Sequence, residues 1–175
     1  MSVPEIVAAG VKIADAHGLD AVSIRRVAAE FAGRPMSVYS FIDSKQRLIE
    51  LMVDSVMGDI VLERVPEDWR GAVRAIAERT LEVGTRHPWL IEGAVRARPK
   101  GTNARRHGQQ SVDALGGFGL PEETLRPLLI AVDAYTIGFA LTSVPDGALS
   151  PAARNTFETG LDWMLNGFEH GVLPR

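Results

Sequence analysis

The chain has 175 residues, a formal charge of −3 and no cysteine, which is enough length for one or two small domains with a real core. The missing cysteine excludes a disulfide framework, a thiolate metal site and a cysteine nucleophile, and is compatible with a cytoplasmic setting. The net charge argues against a non-specific nucleic-acid coater. Residues 1–47 hold six Lys/Arg against five acids, leaving −4 on the remainder, the balance of a protein that touches phosphate with one end.

No charged segment leads into an apolar run, so no signal peptide is expected. Uninterrupted apolar runs reach about half the ~20 residues of a membrane span, so no membrane partner is expected either. The spacing predicts a first helix over 4–17, with Pro4 in its first turn and Ile6, Gly10, Ile13, Ala14 and His17 on one face. Gly18 is its stop, in a left-handed C-terminal position. Ser23 caps a second helix through Val27, Ala28 and Phe31; Gly33 breaks it, and Pro35 opens a third over about 35–41. Val27, Ala28, Phe31, Val38 and Phe41 are expected in the core.

Asp43, three residues before Gln46, resembles a capping box that starts a long helix over about 45–63. Further helices are predicted over about 68–86, 89–97, 102–116, 121–144 and 152–170, separated by His87-Pro88, Arg98-Pro99, Gly116-Gly117 and a loop holding Pro145, Gly147 and Pro151. No period-2 strand pattern stands out. The reading is all-α with about nine helices, and residues 23–48 have the layout of a helix-turn-helix, whose second helix can enter the DNA major groove.

Residues 4–56 resemble the TetR family of transcriptional regulators. The motifs that carry the likeness are Ala14-Asp15-Ala16-His17-Gly18-Leu19, Ser23-Ile24-Arg25-Arg26-Val27-Ala28, then Val38-Tyr39-Ser40-Phe41 and Lys45. Asp68-Trp69, Arg98-Pro99 and the closing run Gly160 to Glu169 are similar to the tetracycline-repressor-like branch. The turn departs from the family pattern: its glycine, Ala32-Gly33, is shifted by one. Glu92 to Arg96 offers no histidine where the archetypal repressor holds a magnesium–drug complex, so no metal–drug ligand, metal or cofactor is expected.

The resemblance implies an N-terminal three-helix DNA-binding head, residues 1–46, and a helical ligand-binding and dimerisation bundle, residues 47–175. In the head, Arg25 and Arg26 are expected to reach phosphate or a guanine edge, Arg34 to approach base edges, Met36 a thymine methyl, and Ser37 and Ser40 a base or phosphate. Tyr39 is expected to pack its ring and offer its hydroxyl to phosphate, with Ser23 at the start of helix two and Lys45 as a phosphate anchor. A homodimer would place two heads in successive major grooves of a palindromic operator. Leu128, Ala131, Tyr135, Gly138, Phe157, Leu161, Leu165 and Phe168 are the expected dimer seam. An effector pocket is expected among Met52, Val56, Trp69, Ile76, Thr80, Trp89, Arg98, Asn103, His107, Gln110, Asp133 and Phe139.

The function implied is a repressor released from DNA by a small molecule. An all-α dimeric ligand-binding protein without sequence-specific DNA binding is the alternative. An enzyme is not expected: the four histidines are scattered, and HExxH, a phosphate-binding glycine loop and GxSxG are all missing.

Overall fold

The structure, a computed structural model, describes residues 1–31, 35–97, 100–116, 121–143 and 148–172. Ala32, Gly33, Arg34, Arg98, Pro99, Gly117, Pro145 and Gly147, which figure above, lie outside them. Every regular element among the described residues is helical. The elements are α1 (Val3–His17), a 3-10 turn (Leu19–Ala21), α2 (Ile24–Ala29), α3 (Pro35–Tyr39), α4 (Lys45–Met57), α5 (Trp69–Arg86), α6 (Leu90–Ala97), α7 (Thr102–Asp113), α8 (Glu122–Ser143) and α9 (Pro151–Val172).

Two compact units form. The first comprises Met1–Asp59 with His87–Arg105; the second comprises Ile60–Arg86 with Arg106–Arg175. The boundary expected at 46/47 divides the chain by role. By compactness α4 stays with α1, because its inner face (Leu48, Met52, Val53, Val56) is buried.

In the first unit α1 packs on α2 and α4. Gly10 permits the close approach, since a Cβ there would lie 2.7 Å from the Met52 sulfur. Gly18 ends α1 at φ 80° and ψ 165°, a positive φ outside the left-handed helical well expected of it. The α4 cap is Ser44 rather than Asp43: the Ser44 hydroxyl accepts the Arg47 N–H at 3.1 Å and donates to the Asp43 carboxylate at 2.9 Å. Two good capping residues stand side by side, and the extended backbone at Ser44 decides between them. The helix stops at Met57, short of the expected 63. Gly58 lies against Asn103, where a Cβ would come within 2.8 Å of the side-chain amide.

In the second unit α5, α8 and α9 pack around Val73, Ile76, Leu81, Leu115, Leu128, Val132, Phe157, Leu161 and Leu165. Asp68 caps α5 by accepting the Gly71 N–H at 2.7 Å, and Ser150 caps α9 by accepting the Ala153 N–H at 3.1 Å. Arg70 and Arg74 of α5 pair with Glu169 and Asp162 of α9. By length and composition α8 is apolar enough over Glu123–Ser143 to cross a membrane, with a mean hydropathy of 1.3. Arg126 and Asp133 cut its apolar runs, which is why no run in the sequence reaches a span's length. Its inner face joins the core just described.

Candidate nucleic-acid interface and effector site

The head presents its candidate contacts from two short helices held by apolar anchors. The Ser23 hydroxyl accepts the Arg26 N–H at 3.2 Å, so Ser23 acts as the α2 cap. That start turns Ile24, Val27 and Ala28 into the core and leaves Arg25 and Arg26 exposed. On α3, Val38 is fully buried and fixes the roll of the helix. Met36, 71% exposed, then points out together with Ser37, Tyr39 and Ser40. The Ser40 hydroxyl donates to the Met36 carbonyl at 3.3 Å, which leaves its lone pairs available. Lys45 is exposed as the first residue of α4.

Among the described residues Arg25, Arg26 and Lys45 have no ion-pair partner. Lys12 and Arg47 are paired with Glu30 and Glu50 at 3.3 and 3.1 Å. Three uncommitted cations therefore surround a polar, outward α3. Arg34 lies outside the described residues. Phe41, expected in the core, is 46% exposed; the chain leaves α3 before it, and Ile42 takes the buried place.

The expected pocket residues divide between the units. In the first, Met52 is buried beneath Gly10, and Val56 is buried. Trp89 donates from Nε1 to Asp15 at 2.6 Å, on the carboxylate oxygen that also meets His87 Nδ1 at 2.7 Å. Asn103 donates from its amide to the Asp54 carbonyl at 3.0 Å. These three partnered side chains join α1 to the α6 region and α4 to α7.

In the second unit Trp69 and Gln110 share a cavity of about 740 Å³, within the range of small-molecule sites. Gln110 accepts the Leu62 N–H at 3.0 Å and donates to the Leu62 carbonyl at 2.8 Å, pinning that wall to α7. Leu62, Val65, Glu67, Arg106, Gln109 and Asp113 also line it. None was singled out in sequence, because they sit in an irregular segment and on the polar face of α7, where periodicity is silent.

The Trp69 ring meets the edge of Phe168 at 6.0 Å and carries the Arg70 guanidinium 4.9 Å above it. Thr80 donates to the Ile76 carbonyl at 2.8 Å, with Ile76 buried. Phe139 packs edge-on to Phe157 at 5.3 Å, within the core.

His107 and Asp133 interact electrostatically in the same unit. Burial pushes the His107 imidazole below its ordinary value, against the pull of Asp133. Burial pushes the Asp133 carboxyl above its own, against the pull of His107. Asp133 nevertheless faces open space. Both hold for a group on the wall of a recess.

The expected seam residues also divide. Leu128, Phe157, Leu161 and Leu165 are buried within the single chain, so they are core and not available to a second copy. Tyr135 and Phe168 are half-buried against that core, while Ala131 is exposed and Gly138 is intermediate. The apolar surface left open on α8 is a different stripe, Pro127, Ile130, Ala134, Ile137 and Leu141, at helical spacing. Trp163 on α9 is 72% exposed.

A short-helix head with an outward polar α3, joined to an all-helical body, defines a helix-turn-helix protein with a C-terminal helical domain. Residues 64–150 match the family described as tetracyclin repressor-like, C-terminal domain. The chain belongs to the TetR family, in its tetracycline-repressor-like branch. It is 35% identical over 146 residues to the HTH-type transcriptional repressor DrrR1 of Streptomyces coeruleorubidus, a match covering 80% of this chain and 53% of that protein.

The chain spans about half the length of the curated relatives it matches. Among solved structures, ActR of Streptomyces coelicolor in complex with actinorhodin is 23% identical, with 99% of each chain covered and a TM-score of 0.80. BioQ, a Mycobacterium smegmatis protein, in complex with its double-stranded DNA operator is 20% identical, with 96% of this chain and 98% of that one covered and a TM-score of 0.76. At these identities the shared property is the fold.

Proposed function

We propose that the chain is a ligand-responsive DNA-binding regulator, a cytoplasmic repressor that binds a palindromic operator as a homodimer and is released by a small-molecule effector. The observation that carries this reading is the head: Val38 anchors α3 so that Met36, Ser37, Tyr39 and Ser40 point outward, flanked by the unpaired cations Arg25, Arg26 and Lys45. Cations of this kind neutralise phosphate, and an outward helix reads base edges. The name of DrrR1 as a repressor, the operator complex of BioQ and the ligand complex of ActR support it.

One head binds weakly, and the open stripe on α8 supplies a face for a second copy. Pairing α8 and α9 with their counterparts would bury Ile130, Ile137, Leu141 and Trp163 in a four-helix seam. The second unit, with its 740 Å³ cavity, would take the effector. Release requires the ligand to favour one spacing of the heads over the other by about 1–3 kcal/mol or more, with α4 as the element that swings.

The test is selection of bound duplexes from a random pool, followed by affinity at two salt concentrations. A palindrome with half-sites about one helical turn apart, bound more weakly at high salt, is the expected result. A folded dimer that enriches nothing overturns the DNA reading and leaves a ligand-binding dimer.

A further inference from the structure

Helices α5, α7 and α8 enclose a small recess in the second unit. Val73, Ile76 and Ala77 face it from α5; Leu129, Val132 and Asp133 face it from α8 at the same i, i+3, i+4 spacing; Ser111 closes it from α7. His107 stands one turn before Ser111 on that face of α7, and its carbonyl accepts the Ser111 hydroxyl at 3.0 Å. The His107 Nδ1 is buried and has no hydrogen-bond partner among the described residues. A buried polar atom left in that state calls for a missing partner. Asp133 likewise has no hydrogen bond or ion pair among the described residues.

The hydrogen-bond inventory of this recess is one-sided. The Ser111 proton is engaged by its own helix, so Ser111 offers lone pairs. Asp133 offers carboxylate oxygens, and the remaining walls are aliphatic. Asp133 is the one ionisable group among the lining residues, and no cation stands beside it there. The void measures about 10 Å³, room for a single water-sized group. A water-sized group that donates in several directions and opposes a carboxylate is an alkylammonium head.

We propose that this recess receives the protonated amine of an otherwise apolar effector, with Asp133 as its counter-ion and His107 Nδ1 and Ser111 Oγ as acceptors. The inference rests on the reading that the second unit houses the effector, and it names the effector's class. Desolvation supports it twice. The Asp133 carboxylate is held at a disadvantage that an incoming cation relieves, and the imidazole is kept neutral, with a lone pair to accept the ammonium.

The test uses three probes of one skeleton on the full chain: cyclohexylmethylamine, cyclohexylmethanol and cyclohexanecarboxylate. Binding is read from the ring resonances of labelled histidine, with His107 assigned from His107→Gln. The amine is expected to move the His107 signals and to bind at least about tenfold tighter than the alcohol, with the carboxylate weakest. Asp133→Asn should remove that advantage of the amine and leave the alcohol's affinity unchanged.

Equal affinities for amine and alcohol, or amine binding indifferent to Asp133→Asn, overturn the proposal. So does a folded protein that binds no probe at millimolar concentration. Operator selection is read on the unliganded protein, so its outcome and this one fail independently.

Discussion

The Asp54 carboxylate of α4 accepts the Ala104 backbone N–H in the first turn of α7 at 3.0 Å, and Asn103 returns a bond to the Asp54 carbonyl at 3.0 Å. A helix start is thus capped by a residue fifty positions upstream, on the helix that follows the DNA-reading element. Asp54→Ala should cost about 1 kcal/mol, the usual worth of a cap, and lower the melting midpoint by about 2–4 °C. Gly101→Ala should act in the same direction, because a Cβ there overlaps the Asp54 carboxyl. Thermal melts followed by circular dichroism check both.

Arg25→Ala with Lys45→Ala should weaken operator binding without touching stability, since both side chains are exposed and unpaired. Each lost phosphate contact flattens the slope of log affinity against log salt by about 0.9, so the double variant should lose about 2 if both touch phosphate. Fluorescence anisotropy across a salt series measures it. An unchanged affinity in a folded dimer would count against the head's proposed role.

Ile130→Glu and Ile137→Glu place a charge on the open α8 stripe, and twice over in a symmetric dimer. Sedimentation should then find folded monomers with weakened operator binding. Phe157→Ala is the contrast: its ring stacks on Tyr135 at 5.2 Å within the single chain. That loss should cost about 3–5 kcal/mol and unfold the protein before it dissociates it.

The contrast between those substitutions marks where the sequence was informative. Val27, Ala28 and Val38 were legible as core because α2 and α3 are apolar on one side only. The seam was not. α8 is apolar on two faces, and periodicity finds both without saying which one meets α5. Phe41 and Ile42 posed the same problem at a helix end, where the direction of the departing chain, and not hydrophobicity, selects the buried side chain. Trp89 and Asn103 were drawn toward the pocket by residue type, yet each is held by a partner far away in sequence, Asp15 and Asp54, that no spacing rule links to it.

Glu78 of α5 gives the pH dependence. Its carboxyl is pushed above its ordinary 4.5 by burial first and by Glu158 second, with Arg74 and Arg154 pulling it down. The folded state therefore holds this proton more tightly than the unfolded one, so stability contributed here is present below about pH 4.5 and is lost as pH rises through the folded value. Glu78→Gln should raise the melting midpoint at pH 7, and the gain should vanish toward pH 4. A gain that grows on acidification would invert the sign and refute the assignment.

The two-faced character of α8 also bears on biosynthesis. The helix leaves the ribosome well before Phe157, Leu161 and Leu165 of α9, which complete the core around its inner face. Until α9 follows, a segment as apolar as a membrane span has only α5 and the end of α7 to lean on. A chain stopped at residue 150 would expose that inner face beside the outer stripe and is expected to collect in inclusion bodies, whereas the chain carried through α9 covers one side at once and leaves the other for a second copy.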